Sequence, residues 1–136
     1  MLFRSISLSA LSGARLIVPS RLNVRRKNID MLLNTHGIHV AQTLEMDGML
    51  ATLEMVAATD WVAILPAAIC YPDKDGSVRH LNPIKDPPTG LDYILVEKAE
   101  AAPLRAAQLL ATGLTESLSK VLNEWSKEFD MLVPKP

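Results

Sequence analysis

Four cations fall within seven positions of the sequence: Arg21, Arg25, Arg26 and Lys27. Apolar residues at helical spacing follow them, at Ile29, Leu32 and Leu33, so the cations lie at the start of a helix. Cations are unfavourable there, because a helix N-terminus already carries partial positive charge. Guanidinium groups, the Ser20 hydroxyl and free helix N–H groups can together bind a small carboxylate or a similar anion. The cluster therefore indicates either an anion site or a solvated helix face.

Catalytic chemistry finds little support in the sequence. The single cysteine, Cys70, could act as a nucleophile with His80 as its base, but a lone cysteine at a strand end is more often a small buried hydrophobe. The sequence contains no G-x-x-x-x-G-K-[ST] loop, no G-x-G-x-x-G after a strand and no G-x-S-x-G elbow. We therefore expect neither enzymatic activity nor a cofactor.

Two groups of residues have spacings that are superficially typical of metal sites. His36 and His39 are spaced like zinc ligands, but Gly37 breaks the helix between them and no further ligand completes the set. Asp73 and Asp75 lack the terminal glutamate of a calcium loop, so they are typical of a turn. The sequence therefore predicts no bound metal.

Composition limits the remaining classes of protein. The 136 residues fit one domain, and a hydrophobic content of 49% is enough to form its core. There are 14 basic and 15 acidic residues, so the net charge is −1 and the basic footprint of a nucleic-acid-binding protein is missing. No apolar run approaches the ~20 residues that a membrane span requires. The single cysteine excludes an internal disulfide framework and suits a reducing compartment.

The first 14 residues, MLFRSISLSALSGA, allow two interpretations. Their charge, apolar stretch and small residues resemble a signal peptide. However, four serines interrupt the apolar stretch: Ser5, Ser7, Ser9 and Ser12. We therefore expect a surface segment that leads into the first strand.

Apolar runs that alternate with helical patterns predict an α/β fold. Strands are expected over 15–18, 38–44 and 61–65, the last being the continuously apolar run WVAIL, typical of a strand covered on both faces. The first helix is expected over 24–36, because Gly37 supplies a left-handed stop. The second helix would begin after Asp47 as its N-cap. The order strand-helix-strand-helix-strand gives a βαβαβ core.

The pattern is less regular after this core. A turn over 72–76 precedes a short strand over 78–81, and a proline-rich linker over 82–90 precedes another strand over 91–96. The longest helix is expected over 103–125. Its apolar residues alternate spacings of three and four and form one seam: Leu104, Ala107, Ala111, Leu114, Leu118, Val121 and Trp125.

The predicted topology brings three loops to one edge of the sheet. In open α/β sheets, ligands bind beyond the carboxyl ends of the strands, opposite helix N-termini. The groups that follow the three strands are Ser20, Arg21, Asn23 and Arg25, then Glu45, Met46 and Asp47, then Pro66 and Ala67. An anion bound at this edge would neutralise the cations at the helix start.

Three segments together resemble a known family: ARLIVPSR, RRKNIDMLLNTHGI and EMDGMLATLEMVAATDWVAILPA. They are similar to the second subdomain of the effector-binding domain of LysR-type transcriptional regulators, in which a strand ends near Pro-Ser, a helix ends in Gly and a later strand closes on Leu-Pro. The similarity covers roughly Ser5 to Trp125. One departure is Thr59-Asp60-Trp61, where family members commonly carry a glycine pair.

This resemblance implies a periplasmic-binding-protein-like fold, with two α/β lobes and a small-molecule effector in the cleft between them. Residues 15–83 would form the effector-binding subdomain, a nearly complete second lobe, after a lead-in segment of residues 1–14. Residues 84–125 would be the returning strand and terminal helix of an incomplete first lobe, and residues 126–136 a tail that frays. The effector contacts carried over are Ser20, Arg21, Arg25, Arg26, Glu45, Met46 and Asp47.

The function that the resemblance implies is effector sensing in a cytoplasmic transcriptional regulator, with a small anionic or carboxylate metabolite as the ligand. The family reads DNA through a winged helix-turn-helix that has no counterpart here, so we expect no operator binding by this chain alone. The family also forms antiparallel dimers, which makes a homo-oligomer the expected state. A periplasmic-type solute-binding fragment and a small α/β transferase are the alternatives. A cleavable signal peptide would favour the first, and a general base the second.

The seam of the long helix predicts how the chain behaves in solution. In the family, the first lobe supplies much of the surface that covers this helix. Each large apolar side chain left in water forfeits ~1.5–3 kcal/mol of burial. We therefore expect the chain to fold the helix back onto its own lobe, to exchange it with a second copy or to aggregate, and not to remain a clean monomer.

Overall fold

The structure is a computed structural model that describes residues 5–89, 96 and 104–129. Its elements in chain order are β1 (Ile6–Ser7), a first 3₁₀ turn (Leu8–Leu11), β2 (Arg15–Val18), α1 (Val24–Thr35), β3 (Gln42–Glu45), α2 (Met49–Ala58), β4 (Val62–Ala63), α3 (Ala67–Cys70), a second 3₁₀ turn (Tyr71–Asp73), β5 (Ile84–Asp86) and α4 (Arg105–Phe129). The predicted α/β class is confirmed.

The main sheet has three parallel strands in the order β3-β2-β4, so the first strand of the chain's βαβαβ core lies in its centre. Ile17 of β2 pairs with Leu44 on one side and with Ala63 on the other. The predicted core order is therefore confirmed. A second, two-stranded parallel sheet joins β1 to β5.

Two predicted strands are shorter than expected. The strand expected from residue 38 begins only at Gln42, because the N–H of Ile38 donates to Leu33 O at 2.9 Å and closes the end of α1. The WVAIL run forms a strand only at Val62–Ala63. All five of its residues are half-buried, because β4 is an edge strand of the sheet. The prediction that this run is covered on both faces was wrong.

Helix α1 follows the sequence signals closely. Its N-cap is Asn23, whose side-chain oxygen accepts from the N–H of Arg25 at 3.0 Å. It ends at Thr35, one residue earlier than predicted, and Gly37 follows with a φ of +64°. This left-handed conformation is the reason a glycine stands there. Ile29 and Leu33 form the buried face of the helix.

The hydrophobic core lies between the N-terminal segment, the central strand β2 and helix α1. Its buried members are Leu8, Leu11, Leu16, Val18, Ile29 and Leu33. The expectation of a surface segment before β2 was therefore wrong, since Leu8 is only 1% exposed. A 3₁₀ turn places residues three apart on the same side, so Leu8 and Leu11 enter the core together.

The region after β4 differs most from the prediction. Residues 78–81 form no strand, and the side chain of Arg79 turns inward to a buried carboxylate, bonding both oxygens of Asp73 at 2.8 Å. The strand lies instead at Ile84–Asp86, inside the expected linker, where it pairs with β1. The strand predicted over 91–96 lies, apart from Val96, outside the described residues.

Helix α4 runs from Arg105 to Phe129, four residues beyond its predicted end, so the start of the expected tail is helical. Its C-terminal half docks on the second 3₁₀ turn. Trp125 is 4% exposed and meets Tyr71 edge-to-face at 6.2 Å. Glu124 accepts from the Tyr71 hydroxyl and from Lys74 Nζ, the latter at 3.1 Å.

None of the helices among the described residues combines the length and apolar character needed to cross a bilayer.

Candidate functional site

Two loops meet at the carboxyl edge of the main sheet. The first joins β2 to α1 (residues 19–23), and the second joins β3 to α2 (residues 46–48). The N–H of Met46 donates to Val18 O at 2.9 Å, which extends the β2–β3 pairing into the loops. The structure thus brings together the first two groups of predicted site residues. The third loop reaches the site through Ile64 and Leu65, and not through the predicted Pro66 and Ala67.

Asp47 links the two loops. Its Oδ1 accepts from the N–H of Ser20 at 3.0 Å and from Asn23 Nδ2 at 3.3 Å. Hydrogen bonds from Ser20 lower the pKa of the Asp47 carboxyl most, and the Asn23 hydrogen bond and the charge of Arg25 lower it further. The carboxylate therefore stays ionised and tied to the first loop at neutral pH.

The prediction that Asp47 caps helix α2 was wrong. The N-cap residue is Gly48, and no side chain caps that helix end. Thr52 lies one turn into the helix, is 5% exposed and donates its hydroxyl to Gly48 O at 3.0 Å. The Asp47 oxygen accepts hydrogen bonds from the neighbouring loop and not from the N–H groups at the start of its own helix.

Arg26 is the most constrained of the cations. Its Nε donates to both oxygens of Asp30, at 2.8 and 2.9 Å, and its Nη1 donates to Glu45 Oε1 at 3.0 Å and to Pro19 O at 3.1 Å. Its side chain is 11% exposed. The hydrogen bond to Asp30, followed by that to Glu45, raises the pKa of the guanidinium despite its burial. The anion that balances this cation at the helix start is therefore supplied by the chain itself.

Glu45 also approaches Arg21, whose Nε lies 3.8 Å from the same Oε1. The Arg21 side chain is 85% exposed, so this contact is a loose surface ion pair of little energetic weight. Glu45 is therefore committed mainly to Arg26, while Arg21 keeps its freedom to reach another anion.

Arg25 differs from its neighbours. It is half-buried, and its guanidinium makes no hydrogen bond or ion pair with any residue that the structure describes. The residue lines a recess between the two loops, whose other lining residues include Pro19, Met46, Asp47, Met49, Thr52 and Leu65. The recess measures about 10 Å³, roughly the space of one water molecule. A partly buried cation without a partner thus borders a space too small for any organic ligand.

The lining residues that the sequence did not point to include Met49, Thr52 and Leu65. Thr52 had a local signal, since a threonine among the apolar residues of α2 is a polar group that burial must satisfy internally. Met49 and Leu65 looked like ordinary core residues.

The described part of the chain contains no cluster of three or more side chains that could bind a metal ion.

Residues 3–119 match the family model of the LysR substrate binding domain. The chain belongs to this family. The parallel sheets and the long C-terminal helix agree with the periplasmic-binding-protein-like fold of LysR substrate binding domains, which sense effectors in LysR-type regulators. Searches of curated proteins and of solved structures found no match.

This LysR substrate binding domain holds the turn before β4 without the glycine pair common in its family. The Thr59 hydroxyl donates to Met55 O at 2.6 Å and accepts from the N–H of Trp61 at 3.3 Å. Arg15 Nη1 lies 2.6 Å from Asp60 Oδ1, and its guanidinium stacks 4.4 Å from the centre of a Trp61 ring. The hydrogen bond from Arg15 lowers the pKa of Asp60. Side-chain contacts thus fix the turn at the amino edge of the sheet, opposite the candidate site.

Proposed function

We propose that the chain senses a small metabolite with one carboxylate group, as the effector-binding part of a LysR-type transcriptional regulator. The observation that carries the proposal is Arg25, a half-buried residue that lines the recess and whose guanidinium has no hydrogen-bond or ion-pair partner among the described residues. An arginine fork matches a carboxylate in shape and can bind it through two parallel hydrogen bonds. Removing part of a cation from water is favourable only if an anion compensates for it.

The charges around the recess favour a monoanion. Four cations stand in the first loop and helix start, at Arg21, Arg25, Arg26 and Lys27. Three carboxylates stand among them, at Asp30, Glu45 and Asp47, so one net positive charge remains. A dianion such as a phosphate would bring more negative charge than the site can balance.

The lining of the recess favours an apolar body attached to that carboxylate. Met46, Met49 and Leu65 surround it with flexible or aliphatic side chains that can adapt to a ligand. In the proposal, Arg25, Met46, Ser20 and the exposed Arg21 contact the effector directly. The paired side chains of Arg26 and Glu45 act indirectly, by fixing the two loops against each other.

The proposal also covers the location, catalysis, oligomeric state and DNA contact of the regulator. We propose that the domain acts in the cytoplasm, catalyses no reaction and pairs with a second copy. DNA contact would belong to a helix-turn-helix module, so the purified 136-residue chain should give no salt-resistant, sequence-specific gel shift.

A thermal-shift screen of the chain against monocarboxylates and dicarboxylates tests the proposal. We expect stabilisation by apolar monocarboxylates, abolished in Arg25→Ala and weakened in Arg21→Ala. Lys27→Ala is the matched control, because it removes an exposed cation from the same turn of the helix and should respond like wild type. Equal stabilisation of Arg25→Ala and wild type would refute the assignment, and a preference for dicarboxylates would refute the charge argument.

A further inference from the structure

The anion position at the start of helix α1 is already occupied by Asp47. One oxygen of its carboxylate receives the N–H of Ser20 at 3.0 Å and the side-chain amide of Asn23 at 3.3 Å. Arg25 stands close enough for its charge to act on the same carboxyl group. A backbone N–H, an amide and a guanidinium are the groups that recognise a carboxylate at a helix N-terminus. The Asp47 side chain therefore already takes the N–H and amide contacts that a ligand's carboxylate would make, and leaves the guanidinium unpaired among the described residues.

The recess cannot accept an effector while Asp47 remains there. Its volume of about 10 Å³ holds roughly one water molecule. Most of its walls are fixed: Ile17, Val18 and Pro19 are buried in the sheet and its exit, and Thr52 is buried in α2. Asp47 is exposed, lies in a loop and is held by hydrogen bonds that any carboxylate could replace. It is the lining residue that can leave at the lowest cost in burial.

We infer that Asp47 is an internal stand-in for the effector's carboxylate, and that the effector binds by displacing it from Ser20 and Asn23, beside the guanidinium of Arg25 that is unpaired in the described part of the chain. This rests on the proposed carboxylate site and adds how that site is controlled. A carboxylate alone gains nothing over Asp47, since it only replaces equivalent hydrogen bonds. An effector must therefore add contacts with the apolar walls, such as Met46 and Met49, which sets its selectivity.

Displacement also has a structural consequence. Asp47 joins the loop before α1 to the loop before α2, and these bonds end when its carboxylate leaves. Arg26 and Glu45 continue to join the same two regions, so the sheet edge stays intact. Ligand binding thus releases one of two links between neighbouring loops, which converts occupancy of the site into a change in the mobility of the second loop.

The test uses acetate, a small monocarboxylate with little apolar body, titrated into the full 136-residue chain at neutral pH. The readout is the backbone amide NMR signal of Ser20 and the side-chain amide signal of Asn23. Asp47→Ala should bind acetate about tenfold more tightly than wild type, the factor expected if the displaced state is populated to about 10%. Asp47→Asn, which keeps the shape of the side chain but loses its charge, should lie between the two. Asp60→Ala is the control, because it removes the same charge at the opposite edge of the sheet.

Each outcome decides between the two proposals. Acetate that binds Asp47→Ala and Asp47→Asn no better than wild type would overturn the stand-in role and leave the carboxylate site standing. Equal gains in Asp60→Ala would overturn it as well, because net charge would then explain the effect. If Arg25→Ala in the Asp47→Ala background binds acetate as well as Asp47→Ala does, the site lies elsewhere and both proposals fall.

Discussion

The lobe of residues 5–89 forms its own hydrophobic core, whereas helix α4 fully buries only one residue of its apolar seam. Leu8, Leu16 and Val18 are at most 1% exposed, but along α4 only Trp125 is buried among the residues whose side chains are described. The two regions have similar apolar content, so composition does not cause the difference. Neighbours do. The lobe brings strands and helices together from both sides of β2. The hydrogen bonds and ring contact that join α4 to the lobe among the described residues lie near the C-terminal end of the helix.

The N-terminal half of α4 is unusual for a solvated helix. Residues 106–115 contain no charged side chain, and exposed leucines stand on more than one side of the helix: Leu104, Leu109, Leu110 and Leu114. A helix that is apolar on several faces is normally surrounded by protein. In the lobe, the most exposed large apolar residues are Leu22 and Leu50, and both lie at the edge that holds the candidate site. If the predicted division into lobes is right, this uncovered surface is where the first lobe and the cleft would lie.

The largest expected difference between the two regions is in stability. Leu16→Ala should lower the free energy of unfolding by ~2–5 kcal/mol, because it opens a cavity in the centre of the core. Leu109→Ala, the same change at a residue that is 65% exposed, should stay within ~0.5 kcal/mol. Urea unfolding followed by circular dichroism at low protein concentration measures both values. Equal losses would show that α4 is covered in solution, and the comparison would fail.

Elements whose signals lie within their own sequence were predicted correctly, and elements that depend on distant partners were not. Strand β2 and helix α1 were placed within one residue, because their signals are local: a proline and a glycine end them, and a helical repeat fills the second. Strand β5 was missed, because its pairing partner β1 lies far away in sequence and the prolines on either side of it, Pro83 and Pro87, suggest a linker. The burial of Leu8 was missed for the same reason.

The second prediction concerns association through α4. The exposed leucines should make the chain form dimers or larger species, as seen by light scattering over a range of concentrations. Leu110→Glu with Leu114→Glu should return it to a monomer, since each charge disfavours burial of the exposed apolar surface of α4. Thr112→Glu with Thr115→Glu is the matched control with the same added charge, and it should reduce association less. A wild-type chain that stays monomeric at high concentration would contradict the prediction.

The smallest expected effect is on the chemistry of Cys70. It ends α3, which packs against α4, and burial raises the pKa of its thiol to about 11. At pH 8 the thiol should react with iodoacetamide about 100-fold more slowly than an ordinary cysteine, whose pKa is about 8.5. Because the folded pKa is the higher one, raising the pH above about 8.5 favours the unfolded chain, which ionises first. Trp125→Ala should speed the reaction by loosening α4, and an unchanged rate would mean that α4 does not protect this thiol.

The candidate site shows a similar division between local and distant partners. The sequence predicted which loops meet, because parallel strands place their carboxyl ends together. It did not predict that Glu45 would neutralise Arg26 or that Asp47 would bond to Ser20, since those partners are 19 and 27 positions away. The Arg26–Asp30 pair, at a spacing of four within one helix, was readable from the sequence.

Every strand pair in the lobe joins distant positions, and this governs the order in which a nascent chain can fold. Pairing is parallel throughout the described strands, and the paired Ser7 and Asp86 are 79 positions apart in the sequence. A ribosome adds ~5–20 residues per second, so β1 waits about 4–16 s before β5 is even synthesised. During that interval Leu8 and Leu11 lack the neighbouring Ile84 that packs on the core they join. The newborn lobe therefore leaves part of its core uncovered until its last strand emerges.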